Sequence, residues 1–253
     1  MKVSKKKITV KDVRNSYMAS AMIGFPASAR WFGRPVADVL TPFLFNLGFT
    51  ANLVTALRIL LYFGSIALLF FHGYPVAFIA AIGLLISFVL DFVDGHLARL
   101  RDNASYFGKF FDGFGDYLFP VFLTLPVAYR AWVETGDMIL FSASLFCAGL
   151  ILMSRLARER LRFFLFLLPK EIQTLNTKNA RIKTYGKFES FLSKQAANTR
   201  VICIFILFIP NAEMLYLLAM LSCQIVIELA WFCAIVTSSY SSLNHWRKSV
   251  SAP

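Results

Sequence analysis

The residues best suited to chemistry lie in one stretch, from Asp91 to Asp116, which reads DFVDGHLARLRDNASYFGKFFDGFGD. Besides Asp102, it holds two pairs of aspartates, Asp91 with Asp94 and Asp112 with Asp116, inside sequence that is otherwise apolar enough to cross a membrane. Placing a charged carboxylate in a bilayer costs roughly 2.5 kcal/mol or more, so four of them need a counter-charge. The stretch therefore predicts a bound divalent metal ion.

Helical spacing is expected to bring these four carboxylates together. The members of each pair are separated by about one helical turn and so share a helix face. A turn near Asn103 lies midway between the two pairs, and an antiparallel hairpin would place all four at one depth. Oxygen ligands favour a hard cation such as Mg²⁺, Mn²⁺ or Ca²⁺, and two ions fit four carboxylates. His96, within the same stretch, is predicted to lie on the helix surface rather than to bind metal.

Small and basic residues beside the aspartates indicate an anionic substrate. Gly95, Ala98 and Gly108 leave room for a flat group to approach the backbone, although small residues also line the close contacts between membrane helices. Arg99 offers a fork of donors that suits phosphate oxygens. Together with the aspartates, these residues favour a substrate site over simple helix packing.

Composition predicts an all-α integral membrane protein. The chain has 253 residues, 58% of them hydrophobic, with a mean hydropathy of +0.63, against roughly 45–50% apolar residues in soluble domains. Its net charge of +12 comes from clusters that flank apolar segments, so membrane lipid is a better partner than nucleic acid. The four cysteines, all within apolar runs, are expected to face the core as small hydrophobic residues.

Six apolar segments are long enough to be considered as transmembrane helices. They cover residues 52–72, 75–98, 107–129, 138–157, 200–213 and 214–238, with turn signals at 72–75 and 209–213. Residues 34–48 and 168–195 mix apolar and basic residues, as interfacial helices do, although both could be connecting loops. The predicted organisation is a basic, partly interfacial helical arm (1–50), a six-helix catalytic domain (51–240) and a tail (241–253).

The distribution of basic residues predicts the orientation. If both termini are cytoplasmic, the arm, the loop near residue 103, the 155–200 region and the tail all lie on the cytoplasmic side. The opposite loops then hold only Arg130, while Arg58 falls inside the first span. This is a strong positive-inside pattern. It places the aspartate site towards the cytoplasm, in the plasma or inner membrane if the protein is bacterial.

The stretch D-x2-D-G-x2-A-R-x8-G-x3-D-x3-D resembles the signature of the CDP-alcohol phosphotransferase family. Every fixed position matches, as listed here: Asp91, Asp94, Gly95, Ala98, Arg99, Gly108, Asp112 and Asp116. The six-span architecture resembles the family as well. The resemblance implies a dimeric, Mg²⁺- or Mn²⁺-dependent enzyme that transfers a substituted phosphate from a CDP-linked donor to a hydroxyl and releases CMP.

The resemblance also implies roles for individual residues. Asp91, Asp94 and Asp112 would bind two metal ions, and Asp116 would bind metal and act as the base for the acceptor hydroxyl. The CDP-donor site would comprise Asn52, Thr55, Asp91, Gly95, Ala98, Arg99 and Gly108. Asn52 and Thr55 come from TANLVT at 50–55, which resembles the family's P-N-x-x-T element except that Ala51 replaces the proline. Both could instead simply cap the helix.

The signature leaves the substrates open. The donor is expected to be CDP-diacylglycerol, in phospholipid biosynthesis, and the alternative is a soluble CDP-alcohol that donates its head group to a lipid or glycan hydroxyl. Arg155, Arg158 and Lys187 are the predicted acceptor and phosphate contacts, because their charge suits a phosphorylated alcohol. They could equally anchor a helix end at anionic lipid. Gln224 and Glu228, one turn apart in the last span, have no assigned role.

A cation channel or transporter is the alternative of a different class. Four aspartates could bind a permeating ion. Such a protein gives no reason for the offsets of Gly95, Ala98 and Gly108, and Arg99 would repel a cation. The enzyme is therefore the favoured prediction.

Overall fold

The fold was analysed in a computed structural model. It describes residues 7–16, 25–101, 106–167, 180–210 and 225–233, together with positions 212, 215, 219, 222 and 223. Within these ranges all regular secondary structure is helical. The predicted all-α class is therefore confirmed, and the tail beyond residue 240 lies outside the described residues.

Eight α-helices follow one another along the described chain. They are α1 (Val10–Asn15), α2 (Arg34–Asn46), α3 (Ala51–Leu68), α4 (Tyr74–Leu100), α5 (Tyr106–Thr135), α6 (Met138–Leu167), α7 (Ala180–Ile206) and α8 (225–233). A π-helical turn, Ala29–Gly33, leads directly into α2. The turn predicted at 72–75 is confirmed, because α3 ends at Leu68 and Gly73 adopts a φ of 106° before α4 begins.

Three helices in the described part of the chain are long and apolar enough to cross a membrane. They are Ala51–Leu68, Tyr74–Leu100 and Met138–Ala157, which correspond to the first, second and fourth predicted spans. The total of six spans and the cytoplasmic termini stay predictions. The helical arm is present as α1 and α2, while its position in the headgroup layer remains a prediction.

Two helices run further than the sequence pattern indicates. The fourth predicted span ends at residue 157, yet α6 continues through the basic residues to Leu167. Residues 168–195 were expected to form an interfacial helix or a connecting loop before a span starting at 200, but α7 is continuous from Ala180 to Ile206. A change from polar to apolar residues marks a change of surroundings, and without proline it does not end a helix.

The main core joins α3, α4, α5 and α7. Buried aliphatic and aromatic residues from all four helices form one cluster, with Tyr62, Leu84, Val127 and Ile204 as representatives. The predicted loop residue Arg130 is itself buried in α5 and donates to the carbonyl oxygens of Phe71 and Gly73. The core thus fixes α3 and α4 as a hairpin, on which α2, α5 and α7 pack, while α6 packs on α5.

A second core attaches the N-terminal arm to this hairpin. Ala37 of α2 packs with Val54 of α3 and with Val93 and Leu97 of α4, and all four are fully buried. Gly33 permits the close approach, because a Cβ there would collide with the Phe88 and Phe92 rings of α4. The opposite face of α2 exposes apolar side chains: Val36, Val39, Phe43 and Leu47.

Two expectations about individual side chains are wrong. His96 is completely buried between α4 and α2, not on the helix surface. Cys147 and Cys203 face the core as expected, but Cys223 and Cys233 are exposed. Apolar sequence alone does not distinguish a core-facing position from a lipid-facing one, since the protein core and the lipid tails favour the same residues.

Glu228, to which the sequence assigns no role, is buried in α8. The Ser154 hydroxyl of α6 donates a hydrogen bond to Glu228 Oε2, and both side chains are at most 2% exposed. A buried carboxyl group needs such donors, because it is removed from water. The contact therefore links the C-terminal half of α6 to α8.

We predict that Ser154→Ala lowers the free energy of unfolding by about 1–3 kcal/mol, because Glu228 loses a buried donor. Ser144→Ala is the matched control: Ser144 is also buried in α6, but its hydroxyl bonds Leu140 O of the same helix at 2.8 Å. Thermal unfolding in detergent measures both. Equal stability of the two variants would contradict a stabilising link through Glu228.

Candidate active site

The first two signature aspartates lie on α4 and face α3. Thr55 Oγ1 donates to Asp94 Oδ2 at 2.8 Å, which ties the carboxylate to the neighbouring helix. Asp94 is buried, whereas the Asp91 side chain is 32% exposed. The Asp94 carboxylate is therefore enclosed, and the Asp91 carboxylate keeps an exposed edge that a ligand can reach.

Thr55 is a site residue and not a helix cap. The N-cap of α3 is Thr50, whose side chain accepts from the backbone N–H of Leu53 at 3.2 Å. Thr55 lies one turn further in, where its hydroxyl reaches across to α4. Asn52 is exposed at the start of α3, so its side chain is available to a substrate.

Arg58 is a site residue that the sequence-based prediction missed. Its guanidinium forms an ion pair with Asp91 and is only 1% exposed. Ser87 Oγ donates to the Arg58 backbone carbonyl at 3.0 Å, and the Phe119 ring lies 5.5 Å from the guanidinium carbon. The sequence feature that could have predicted this contact is an arginine inside an otherwise apolar span, because such a buried cation needs an anionic partner.

Gly95, Ala98 and Arg99 lie together on the last turns of α4. Gly95 and Ala98 are partly exposed, and the Arg99 side chain is exposed. The Arg99 guanidinium lies over Gly95, with its nitrogens 3.6 and 3.7 Å from the position of a Cβ built there. Arg99 therefore lies beside Gly95, and the binding of phosphate and of the donor by these residues stays a prediction.

The second aspartate pair belongs to α5, as does Gly108. The side chains of Asp112 and Asp116 lie outside the described part of the structure, so convergence of the four carboxylates stays a prediction. The helix boundaries agree with the predicted hairpin: α4 ends at Leu100 and α5 begins at Tyr106, on either side of the expected turn near Asn103. Asn103 itself falls outside the described residues.

The described residues fit a hard divalent cation. Asp91 and Asp94 supply carboxylate oxygens on one side of α4, and Thr55 adds a hydroxyl beside them. His96 does not join this set, because it lies on the side of α4 that packs on α2, where its Nδ1 is 3.2 Å from Thr41 Oγ1. Arg58 already provides one positive charge to Asp91. Oxygen donors of this kind suit Mg²⁺ or Mn²⁺.

An apolar cavity of about 320 Å³ adjoins Asp91. Arg58 and Asp91 are the charged residues of its lining, and Ser28 and Ser87 add hydroxyl groups. Apolar side chains from several helices form most of the rest, including Phe88, Leu123, Val201 and Ile204. A substrate with a charged group next to an apolar chain matches this division of the lining.

The predicted acceptor residues differ in their surroundings. Arg155 of α6 is buried, with 6% of its surface exposed, whereas Lys187 of α7 is exposed. Arg158 lies one turn beyond Arg155 in α6, but its side chain is not among those that the structure describes. The structure does not test whether the three share an acceptor site.

Comparison with protein families gives a match to CDP-alcohol phosphatidyltransferase over residues 49–236, well over half of the chain. The chain belongs to the CDP-alcohol phosphatidyltransferase family. A comparison with curated proteins found no match. The matched region contains α3, α4, α5 and every signature aspartate.

Family membership identifies the general reaction. CDP-alcohol phosphatidyltransferases transfer a phosphatidyl group from a CDP-linked alcohol to another alcohol, and this chain is a transferase of that class. It binds a CDP-alcohol donor and an alcohol acceptor. Three apolar helices and a family of membrane enzymes also identify it as a membrane protein. The channel or transporter alternative is therefore not supported.

We predict that Gly95→Ala reduces donor binding at least ten-fold without destabilising the protein. Among the described residues, the nearest atoms to an added Cβ belong to Arg99 and lie at ordinary contact distance, and Gly→Ala in a helix stabilises by about 1 kcal/mol. The loss would therefore come from contact with the donor. Gly64→Ala in α3 is the control, since a Cβ there has no neighbour within 4 Å in the described part of the chain.

Equilibrium binding of a CDP-linked donor and thermal unfolding would be measured for both variants. Unchanged donor affinity in Gly95→Ala would show that the nucleotide does not approach this backbone. A lower unfolding temperature in Gly95→Ala alone would instead indicate that Gly95 serves helix packing.

Proposed function

We propose that this transferase moves the phosphatidyl group of CDP-diacylglycerol to the hydroxyl of a polar, phosphorylated alcohol and releases CMP. The reaction depends on Mg²⁺ or Mn²⁺ and contributes to phospholipid biosynthesis. The observation that supports it best is the position of Asp91 and Arg58, between the metal-binding face of α4 and an apolar cavity. A lipid-linked pyrophosphate needs both environments side by side.

The apolar cavity favours a lipid donor over a soluble one. A CDP-linked polyol or amine has no apolar part for Phe88, Leu123 and Val201 to contact. Burial of an acyl chain contributes about 0.8 kcal/mol for each methylene group. Several buried methylenes would therefore retain CDP-diacylglycerol while its nucleotide lies at the aspartates.

The chain's own residues bind and orient the reacting groups. Asp91, Asp94, Asp112 and Asp116 would hold two divalent ions, which when bound withdraw charge from the donor's phosphates. Thr55 fixes the Asp94 carboxylate, and Arg99 binds phosphate oxygens beside Gly95. Asp116 accepts the proton of the incoming hydroxyl, which attacks phosphorus in line as CMP departs.

Basic residues on α6 and α7 would select the acceptor. Arg155 is a buried cation of α6, and its planar guanidinium suits the phosphate of a phosphorylated alcohol. Arg158 and Lys187 would extend the same positive region. A homodimer with its active sites towards the cytoplasm agrees with the clusters of basic residues and with the family resemblance.

We predict that Asp116→Asn abolishes CMP release, by at least 100-fold, because an amide cannot accept the acceptor's proton. Donor binding should remain measurable. Asp137→Asn is the control: Asp137 caps α6 by accepting from Ile139 N and Leu140 N, and asparagine caps equally well.

The assay uses membranes with labelled CDP-diacylglycerol or CDP-linked polyols and a panel of alcohol acceptors, with and without EDTA. Metal-dependent CMP release from CDP-diacylglycerol alone is the expected result. Release from soluble donors alone would instead favour head-group transfer to a lipid or glycan. Full activity of Asp116→Asn would exclude its role as the base.

We predict that Ala197→Phe raises the KM for long-chain CDP-diacylglycerol about ten-fold and changes the KM of a short-chain donor much less. Ala197 of α7 lines the cavity, and a phenyl ring there would occupy the space for the acyl chain. Ala56→Phe on the exposed face of α3 is the control for the same added volume. An equal effect on both donors would place the acyl chain elsewhere.

A further inference from the structure

We propose that Thr41 and His96 are positioning residues, which hold the aspartate-bearing end of α4 in place for metal binding. The inference rests on the proposed function, in which Asp91 and Asp94 bind the divalent ions. Neither Thr41 nor His96 belongs to a fixed position of the signature. Their contact joins α2 to the back of α4, on the side away from Thr55.

The contact between Thr41 and His96 is a hydrogen bond with a defined donor and acceptor, and it is shielded from water. Thr41 Oγ1 donates its single proton to Ala37 O at 2.6 Å, so it accepts from the His96 Nδ1–H at 3.2 Å. Both side chains are completely buried. Asp38 Oδ1 lies 3.9 Å from the same ring nitrogen. His96 therefore has one favoured ring orientation, fixed by two residues of α2.

The segment 7–16, which contains α1, in turn holds α2. Arg14 Nε of α1 donates to Asp38 Oδ2 at 3.1 Å. At the other end of α2, Asn46 pairs with the backbone of Ile8, at 3.1 Å through its oxygen and 3.2 Å through its nitrogen. These contacts fix both ends of the segment 7–16 relative to α2. This segment and α2 thus form one support behind α4.

The part of α4 that α2 supports is the part that carries the metal-binding aspartates. Asp91 and Asp94 lie within the last three turns of a helix that ends at Leu100, and helix ends open more readily than helix centres. His96 is two residues from Asp94, so a shift of the His96 backbone moves the Asp94 carboxylate with it. Metal sites require ligand positions within about 0.5 Å of the productive geometry.

The test compares substitutions that keep or remove the hydrogen bond. Thr41→Val has nearly the same shape as threonine without the acceptor, and Thr41→Ser keeps the acceptor. His96→Leu removes the donor, and His96→Asn places an amide N–H close to the position of Nδ1. We expect about ten-fold weaker Mn²⁺ binding in Thr41→Val and His96→Leu, and near-normal binding in Thr41→Ser and His96→Asn.

Binding is measured on the full-length purified protein in detergent from the paramagnetic resonance signal of free Mn²⁺, without substrate. Ser154→Ala is the control for a general loss of stability away from the site, and it should bind Mn²⁺ normally. Unchanged Mn²⁺ affinity in Thr41→Val, with a lower unfolding temperature only, would overturn the inference. If the wild-type protein binds no Mn²⁺, both the inference and the metal-dependent function fail.

Discussion

The structure depends on neutralising carboxylates that apolar helices carry into a poorly solvated region. Asp91 is neutralised by Arg58, and Asp94 accepts a hydrogen bond from Thr55, so α3 supplies a partner to each. Without these partners, the desolvation of two charges would oppose the packing of α3 on α4. The same two contacts leave Asp91 partly exposed beside the cavity, which joins the stability of the hairpin to its chemistry.

The two sides of α4 carry out different tasks. One side presents Asp91 and Asp94 to α3 and to the cavity, while the other buries Val93, His96 and Leu97 beneath α2. A helix divided in this way cannot rotate without exposing His96 or burying the free edge of Asp91. The orientation of the functional side is therefore set largely by packing on the opposite one.

Much of the site could be predicted from sequence, because helical spacing fixes which residues share a face. The pairing of Asp91 with Asp94, the turn after Leu100 and the proximity of Gly95 to Arg99 all follow from local geometry. The Arg58–Asp91 ion pair and the burial of His96 could not, because they depend on which helices become neighbours. The length of α7 was also missed, since hydropathy reports surroundings and not the path of the backbone.

Arg130 shows how a single buried cation changes the interpretation of membrane topology. Its guanidinium donates to Phe71 O and Gly73 O, in the connection between α3 and α4. Carbonyl groups in a tight connection between membrane helices cannot all bond within a helix, and this side chain provides donors for two of them. In the predicted orientation, the charge acts as a cap for the outer end of the hairpin. Arg130 thus binds backbone carbonyl groups inside the protein and is not a solvent-exposed positive charge. A count of basic loop residues that is used to predict membrane orientation should therefore omit it.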